Sequence, residues 1–190
     1  VARFADLLVG TPPGAGVHAN AFYRLSLLSS LPFALVAPML GMAEGALADF
    51  VDMAKIRATR GAVSGGSNRM AEFATVQSKV AEATGCINAA RLTMLDCTAK
   101  ALAAANAGTQ ADRDLRQRCR LGQAFSAKLL LQAVDVLFQA SGGMSIFMEK
   151  PIQRAWRDMH AASVHVSLNW DAVSTMFGQH LLGLEPRGQH

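Results

Sequence analysis

Nine apolar residues spaced three and four apart constrain this chain more than any other feature. Phe73, Val76, Val80, Ala83, Ile87, Ala90, Met94, Cys97 and Ala101 alternate those steps without a break. A strand repeats every second residue, so only a helix gathers these side chains on one face. The spacing predicts a long helix whose seam suits left-handed packing against other helices. It is expected to end near Ala107, with Gly108 as its stop.

The other segments are read against that helix. Leu40, Ala43, Leu47, Phe50 and Ala54 predict a first helix over about 38–59, with Pro38 in the first turn, where its missing N–H costs nothing. A loop over 61–68, centred on Gly65 and Gly66, leads to the seam helix. Thr109 as N-cap, with Asp112 three residues on, opens a third helix that is expected to run to about Ala140. From Leu129 to Phe138 it is apolar nearly all round, which marks it as central or at a subunit interface. Gly142 and Gly143 end it. Pro151 opens a fourth, with Ile152, Trp156, Met159, Ser163 and Val166 as its inner stripe. That helix is expected to break at 169–171, where Asn169 caps a new segment. The predicted fold is all-α, an up-down-up-down four-helix bundle over 32–184. Residues 1–31, with Thr11, Pro12, Pro13, Gly14 and Gly16 clustered in them, read as a connector, and 185–190 as a tail.

Composition limits the function classes. Hydrophobic residues make up 51% and charged residues 17%, which fits a domain that hides several faces or packs against partners. The net charge of +4 is scattered. Its densest group, Arg113, Arg116, Arg118 and Arg120, is interleaved with Asp112 and Asp114, as on a solvated helix face. No basic stripe with aromatic partners indicates nucleic acid. The Leu25–Leu40 stretch is interrupted by Ser29, Ser30, Pro32 and Pro38, and no run is read as membrane-spanning. Cys86, Cys97 and Cys119 lack any CxxC spacing and fit reduced thiols of a cytoplasmic protein. His18, His180 and His190 carry no motif, and no metal site is expected.

One stretch says more. Gln139-Ala-Ser141-Gly142-Gly143 is followed by Pro151-Ile-Gln-Arg154-Ala-Trp-Arg157-Asp158-Met-His160-Ala-Ala-Ser-Val-His165. It resembles the end of the acyl-CoA dehydrogenase fold, where one helix closes with Gln-x-x-Gly-Gly and the next opens with Arg-x-x-Arg-Asp. Phe73-Ala-Thr-Val-Gln77 resembles the family's seam helix, so the likeness covers about 38–184. The resemblance implies that Gln139, Ser141, Gly142 and Gly143 meet a flavin nucleotide, often that of a neighbouring subunit. It also implies that Arg154, Arg157 and Asp158 are structural, with Arg154 and Asp158 a buried pair.

Many dehydrogenases of this family place a catalytic glutamate nine positions after the second arginine. Here that position is Val166, which cannot take a proton from carbon. A base on the first helix, where Glu44, Asp49 and Asp52 stand, remains a less favoured option. The run Arg-Asp-x-His-Ala-x-x-x-His instead resembles the oxygenase components of two-component flavin monooxygenases, of the 4-hydroxyphenylacetate and steroid-phenol type. That resemblance implies reduced FMN or FAD from a separate flavin reductase, a flavin hydroperoxide, and hydroxylation of an aromatic substrate. His165 would stand beside the flavin and His160 on the substrate side, since imidazole titrates near working pH. It further implies a homotetramer, a dimer of dimers. Complete members of the family carry a helical domain and a β-domain before the bundle. The chain opens on Val1 rather than Met and is expected to lack half of its site and to be inactive alone. The remaining alternatives are the same domain of a dehydrogenase-like oxidoreductase, or a non-catalytic helical assembly module.

Overall fold

The computed structural model describes residues 13–59 and 68–188. The first twelve residues, the loop around Gly65 and Gly66, and His190 lie outside them. The described residues are all-α. The helices are α1 (Leu27–Ile56), α2 (Ala74–Asn106), α3 (Arg113–Ser141), α4 (Pro151–Ser163) and α5 (Trp170–Leu181), with short 3-10 segments before α1, between α1 and α2 and between α3 and α4. An isolated bridge pairs Ala58 with Arg69.

The chain divides into two compact units. The first comprises Val1–Ala37, Arg91–Ala127 and His165–His190; the second comprises Pro38–Ala90 and Lys128–Val164. In the first, Phe33, Cys97, Ala101 and Cys119 form a buried cluster. In the second, Leu130, Ala133, Val134 and Leu137 are fully buried. That matches the apolar run read as central. Within the second unit Ala83, Ile87 and Ala90 carry the seam of α2, and within the first unit Cys97 and Ala101 do so; all five are buried.

Four boundaries correct or sharpen the expectation. First, α1 begins at Leu27, not Pro38, and carries Pro32 and Pro38 inside it. A proline in a helix leaves the carbonyl four residues earlier without its donor. For Pro32 that carbonyl belongs to Leu28, and Gln123 Nε2 donates to it at 3.0 Å from the buried face of α3. Second, α3 is capped by Asp112, whose Oδ1 accepts the Leu115 N–H at 2.8 Å. Thr109 instead closes α2, its hydroxyl donating to the Ala104 carbonyl at 3.0 Å. Third, α2 starts at Ala74, preceded by a 3-10 turn over Met70–Glu72. Fourth, α4 stops at Ser163, and Val166 is exposed rather than part of an inner stripe. The Asn169 cap holds as expected, its Oδ1 accepting the Ala172 N–H at 3.0 Å.

Two stretches, Leu27–Ile56 and Arg113–Ile146, are long and apolar enough to cross a membrane by length and composition. This corrects the reading that no run is. Part of their hydropathy belongs to side chains buried within a unit, such as Phe33 and Val36 in the first and Leu130 and Val134 in the second.

Candidate functional site

The Gly-Gly corner is built by the end of α3. Gly142 takes φ +69°, a left-handed conformation that glycine adopts without a Cβ penalty. The chain then turns into a 3-10 segment over Gly142–Ile146. The Ser145 hydroxyl ties the turn, donating to the Gly142 carbonyl at 2.7 Å. A Cβ built on Gly142 or Gly143 meets nothing within 4 Å, so the outer side of the corner is open. Gln139, Gly142 and Gly143 are all exposed.

Ser141 stands where α3 meets the corner. It is buried, its hydroxyl donates to the Leu137 carbonyl at 2.9 Å, and its own carbonyl accepts from Arg57 Nη1 at 2.9 Å. Ser141 thereby closes the helix, and it also lines the cavity beside the corner. Arg57 is a residue that sequence reading missed. It follows α1 and lines a cavity of about 240 Å³ beside the corner, together with Asp49, Phe50, Ser145 and Lys150. Two cations next to an open glycine corner suit a phosphate-bearing group.

The Arg-x-x-Arg-Asp residues lie on α4. Arg154 and Arg157 are exposed and Asp158 is half-buried. The recorded ion pair joins Arg157 Nε to Asp158 Oδ1 at 3.6 Å. The expected buried Arg154–Asp158 pair is therefore corrected: Arg154 keeps its guanidinium in water, where hydration offsets most of what an ion pair contributes.

His160, one turn after Trp156 on α4, is half-buried. Its Nε2 lies 3.0 Å from Asp135 Oδ1, and the same oxygen accepts the Trp156 Nε1–H at 2.7 Å. The His160 ring lies 4.3 Å from that of Trp156, which stacks in turn on Phe138 at 4.9 Å. An ionised carboxylate only accepts, so the His160 proton sits on Nε2. Asp135 was not singled out from the sequence. Its one signal is a carboxylate within an otherwise apolar run of α3. Asp135→Leu in the full-length protein is expected to cost about 1–2 kcal/mol, because two partly covered donors lose their acceptor. Urea unfolding followed by tryptophan emission measures it. Asp135→Asn, which keeps an acceptor oxygen, is expected to recover most of the loss. A leucine variant with wild-type midpoint and emission would remove Asp135 from this account.

His165 lies past the end of α4 and is exposed. Its Nδ1 accepts the Ser167 N–H at 3.1 Å, and its carbonyl accepts the Leu168 N–H at 2.8 Å. Leu168 is buried and anchors this turn. With Nδ1 used as an acceptor, the neutral ring carries its proton on Nε2 and can donate it outward. Val166, where a dehydrogenase would carry its base, is 79% exposed. Among the described residues, no three His, Cys, Asp or Glu gather as a metal site would require.

Residues 33–170 match the family model of the acyl-CoA dehydrogenase C-terminal domain. Over 195 aligned residues the whole chain is 43% identical to the oxygenase component of an FADH2-dependent resorcinol hydroxylase from Rhizobium sp. (strain MTP-10005), covering 48% of that protein. It is 33% identical over 176 residues to the flavin-dependent monooxygenase oxygenase subunit HsaA of Mycobacterium tuberculosis; the match covers 93% of this chain and 44% of HsaA. The crystal structure of 3-HSA hydroxylase from Rhodococcus sp. RHA1 superposes with a TM-score of 0.86 at 26% identity, over 98% of this chain and 47% of that one. The chain thus spans about half the length of the curated relatives it matches. The helices, the Gly-Gly corner and the family match lead to one statement: the chain belongs to the acyl-CoA dehydrogenase C-terminal domain family.

Proposed function

We propose that this chain is the C-terminal helical domain of the oxygenase component of a two-component flavin-dependent monooxygenase, one that hydroxylates a small aromatic substrate. The observation that carries the reading is the 43% identity, over the whole chain, to the oxygenase component of a resorcinol hydroxylase. The absence of a carboxylate at Val166 disfavours the dehydrogenase alternative.

The residues present fit a flavin nucleotide, because the corner at Gly142 and Gly143 is open and two cations, Arg57 and Lys150, border the cavity beside it. Gln139, Gly142 and Gly143 would contact the nucleotide and Arg57 its phosphates. Reduced flavin, delivered by a separate reductase, supplies the electrons with which oxygen is activated; the relative's name favours FADH2 over reduced FMN. His165 holds a proton on Nε2 and donates it as a hydrogen bond to an oxygen atom of the reacting pair. His160 is held by Asp135 and braces Trp156. A homo-oligomer, a dimer of dimers, belongs to the same proposal. Exposed Leu92, Leu95, Leu181 and Leu182 are surfaces that another chain or domain would cover. A cytoplasmic location is in keeping with the three free cysteines.

The test uses the full-length protein, mixed with FADH2, resorcinol or a related phenol, and oxygen. Hydroxylated product is followed by mass spectrometry and the approach to oxidised flavin by stopped-flow absorbance. A transient preceding oxidised flavin, with product formed, is expected. His165→Ala is expected to lower product formation by about a hundredfold. Immediate reoxidation without product, together with bound oxidised flavin that acyl-CoA bleaches, would move the protein to the dehydrogenases.

A further inference from the structure

Arg120 is 5% exposed, yet its recorded partners are both neutral. Its Nη1 donates to Gln123 Oε1 at 2.9 Å and to the Ser167 carbonyl at 3.0 Å, while its Nε has no partner. Burial pushes the guanidinium below its ordinary pKa. A buried cation without a carboxylate is costly, and an apolar side chain of similar reach often packs at least as well. Stability alone does not account for an arginine here.

What Arg120 holds does account for it. Ser167 is the residue whose N–H donates to His165 Nδ1 at 3.1 Å. The guanidinium therefore grips one end of the peptide group that follows Ser167, while the N–H of Ser167 orients the imidazole. The same Nη1 is steadied by Gln123, whose amide N–H is committed to the Leu28 carbonyl at 3.0 Å. The hydrogen bonds run in series from α1 through α3 to the turn that carries His165, entirely within the first unit.

We propose that Arg120 is a positioning residue for His165: by fixing the Ser167 carbonyl it sets the turn in which the Ser167 N–H holds the imidazole with its proton on Nε2. The inference rests on the reading of His165 as the donor at a flavin oxygenase site. Arg120 touches neither substrate nor cofactor in this account. It acts through the backbone of one turn, as residues behind a ligating or catalytic histidine fix its ring and tautomer.

The experiment uses full-length protein with isotope-labelled histidine and reads the His165 ring nitrogens by NMR, assigned by their loss in His165→Gln. The wild-type ring is expected to be protonated at Nε2, with Nδ1 unprotonated. Arg120→Met is expected to mix the two tautomers and to lower hydroxylation kcat about tenfold, with the substrate KM within about twofold. Arg120→Lys, which keeps a donor and the charge, is expected to restore part of both. A wild-type ring protonated at Nδ1 overturns the proposal, as does a folded Arg120→Met protein with wild-type tautomer and kcat. If Arg120→Met does not fold, Arg120→Lys decides: mixed tautomers with a lowered kcat support the proposal, and wild-type tautomer and kcat overturn it. A wild-type protein that makes no hydroxylated product overturns the oxygenase reading instead, and the tautomer result separates the two failures.

Discussion

Gln123→Leu is expected to lower the stability of the folded protein by about 3 kcal/mol or more, because it takes a hydrogen-bond partner from two buried groups at once. The first is the Leu28 carbonyl, already deprived of its helical donor by Pro32 and served by Gln123 Nε2 at 3.0 Å. The second is the Arg120 guanidinium, which loses the Gln123 Oε1 acceptor at 2.9 Å and keeps only the Ser167 carbonyl. Leucine has a volume similar to that of glutamine, so packing changes little and the loss is one of hydrogen bonds. Gln123 is fully buried, and water cannot substitute. Gln123→Glu keeps an acceptor toward Arg120 and supplies that cation with a charge, but gives Leu28 no donor. It should fall between wild type and leucine. Denaturant unfolding of the three proteins measures the order. A leucine variant within experimental error of wild type would mean that the Leu28 carbonyl finds another donor and that Pro32 needs no compensation from α3.

That same network marks the limit of what the sequence makes legible. The periodicity of Phe73 to Ala101 and of Leu40 to Ala54 identifies two long helices, since apolar spacing is a local property of the chain. It places the start of α1 eleven residues late, because Pro32 and Pro38 read as breakers. The group that makes Pro32 tolerable is Gln123, 95 residues from the Leu28 carbonyl that it serves, and no local rule contains it. The Thr109 and Asp112 exchange of roles is of another kind: both residues can cap, and only the path of the chain between α2 and α3 selects which one does. At the site, Gln139, Gly142, Gly143, His160 and His165 are visible through a motif. Asp135 and Arg57 are not. Asp135 lies in a run read only for its apolar residues, and nothing local says that Trp156 and His160 share its oxygen. Arg57 sits between an apolar helix and a loop, and its tie to Ser141 spans 84 positions.

The last prediction turns on space rather than polarity. Gly122 lies within α3, where glycine costs about 1 kcal/mol relative to alanine by helix propensity alone. On that ground any residue with a side chain should stabilise the helix. The packing says the reverse. A Cβ at position 122 would lie 2.9 Å from Cys97 Sγ and 3.1 Å from Thr93 Cγ2, both on α2. Cys97 belongs to the buried cluster with Phe33 and Cys119, and the Cys119 thiol donates to the Cys97 carbonyl at 3.7 Å, so α2 has little freedom to withdraw. Gly122→Val, whose branched side chain places more atoms at the contact, is expected to destabilise by about 3 kcal/mol, at the upper end of overpacking costs. Cys97→Ala removes the sulfur that the new side chain meets. The double variant Gly122→Val with Cys97→Ala should therefore be more stable than the sum of the single effects implies, by about 1 kcal/mol or more. Chemical unfolding of the four proteins of this cycle gives the coupling. Strict additivity would show that Thr93 or the backbone of α2, and not the Cys97 sulfur, is what excludes a side chain at position 122.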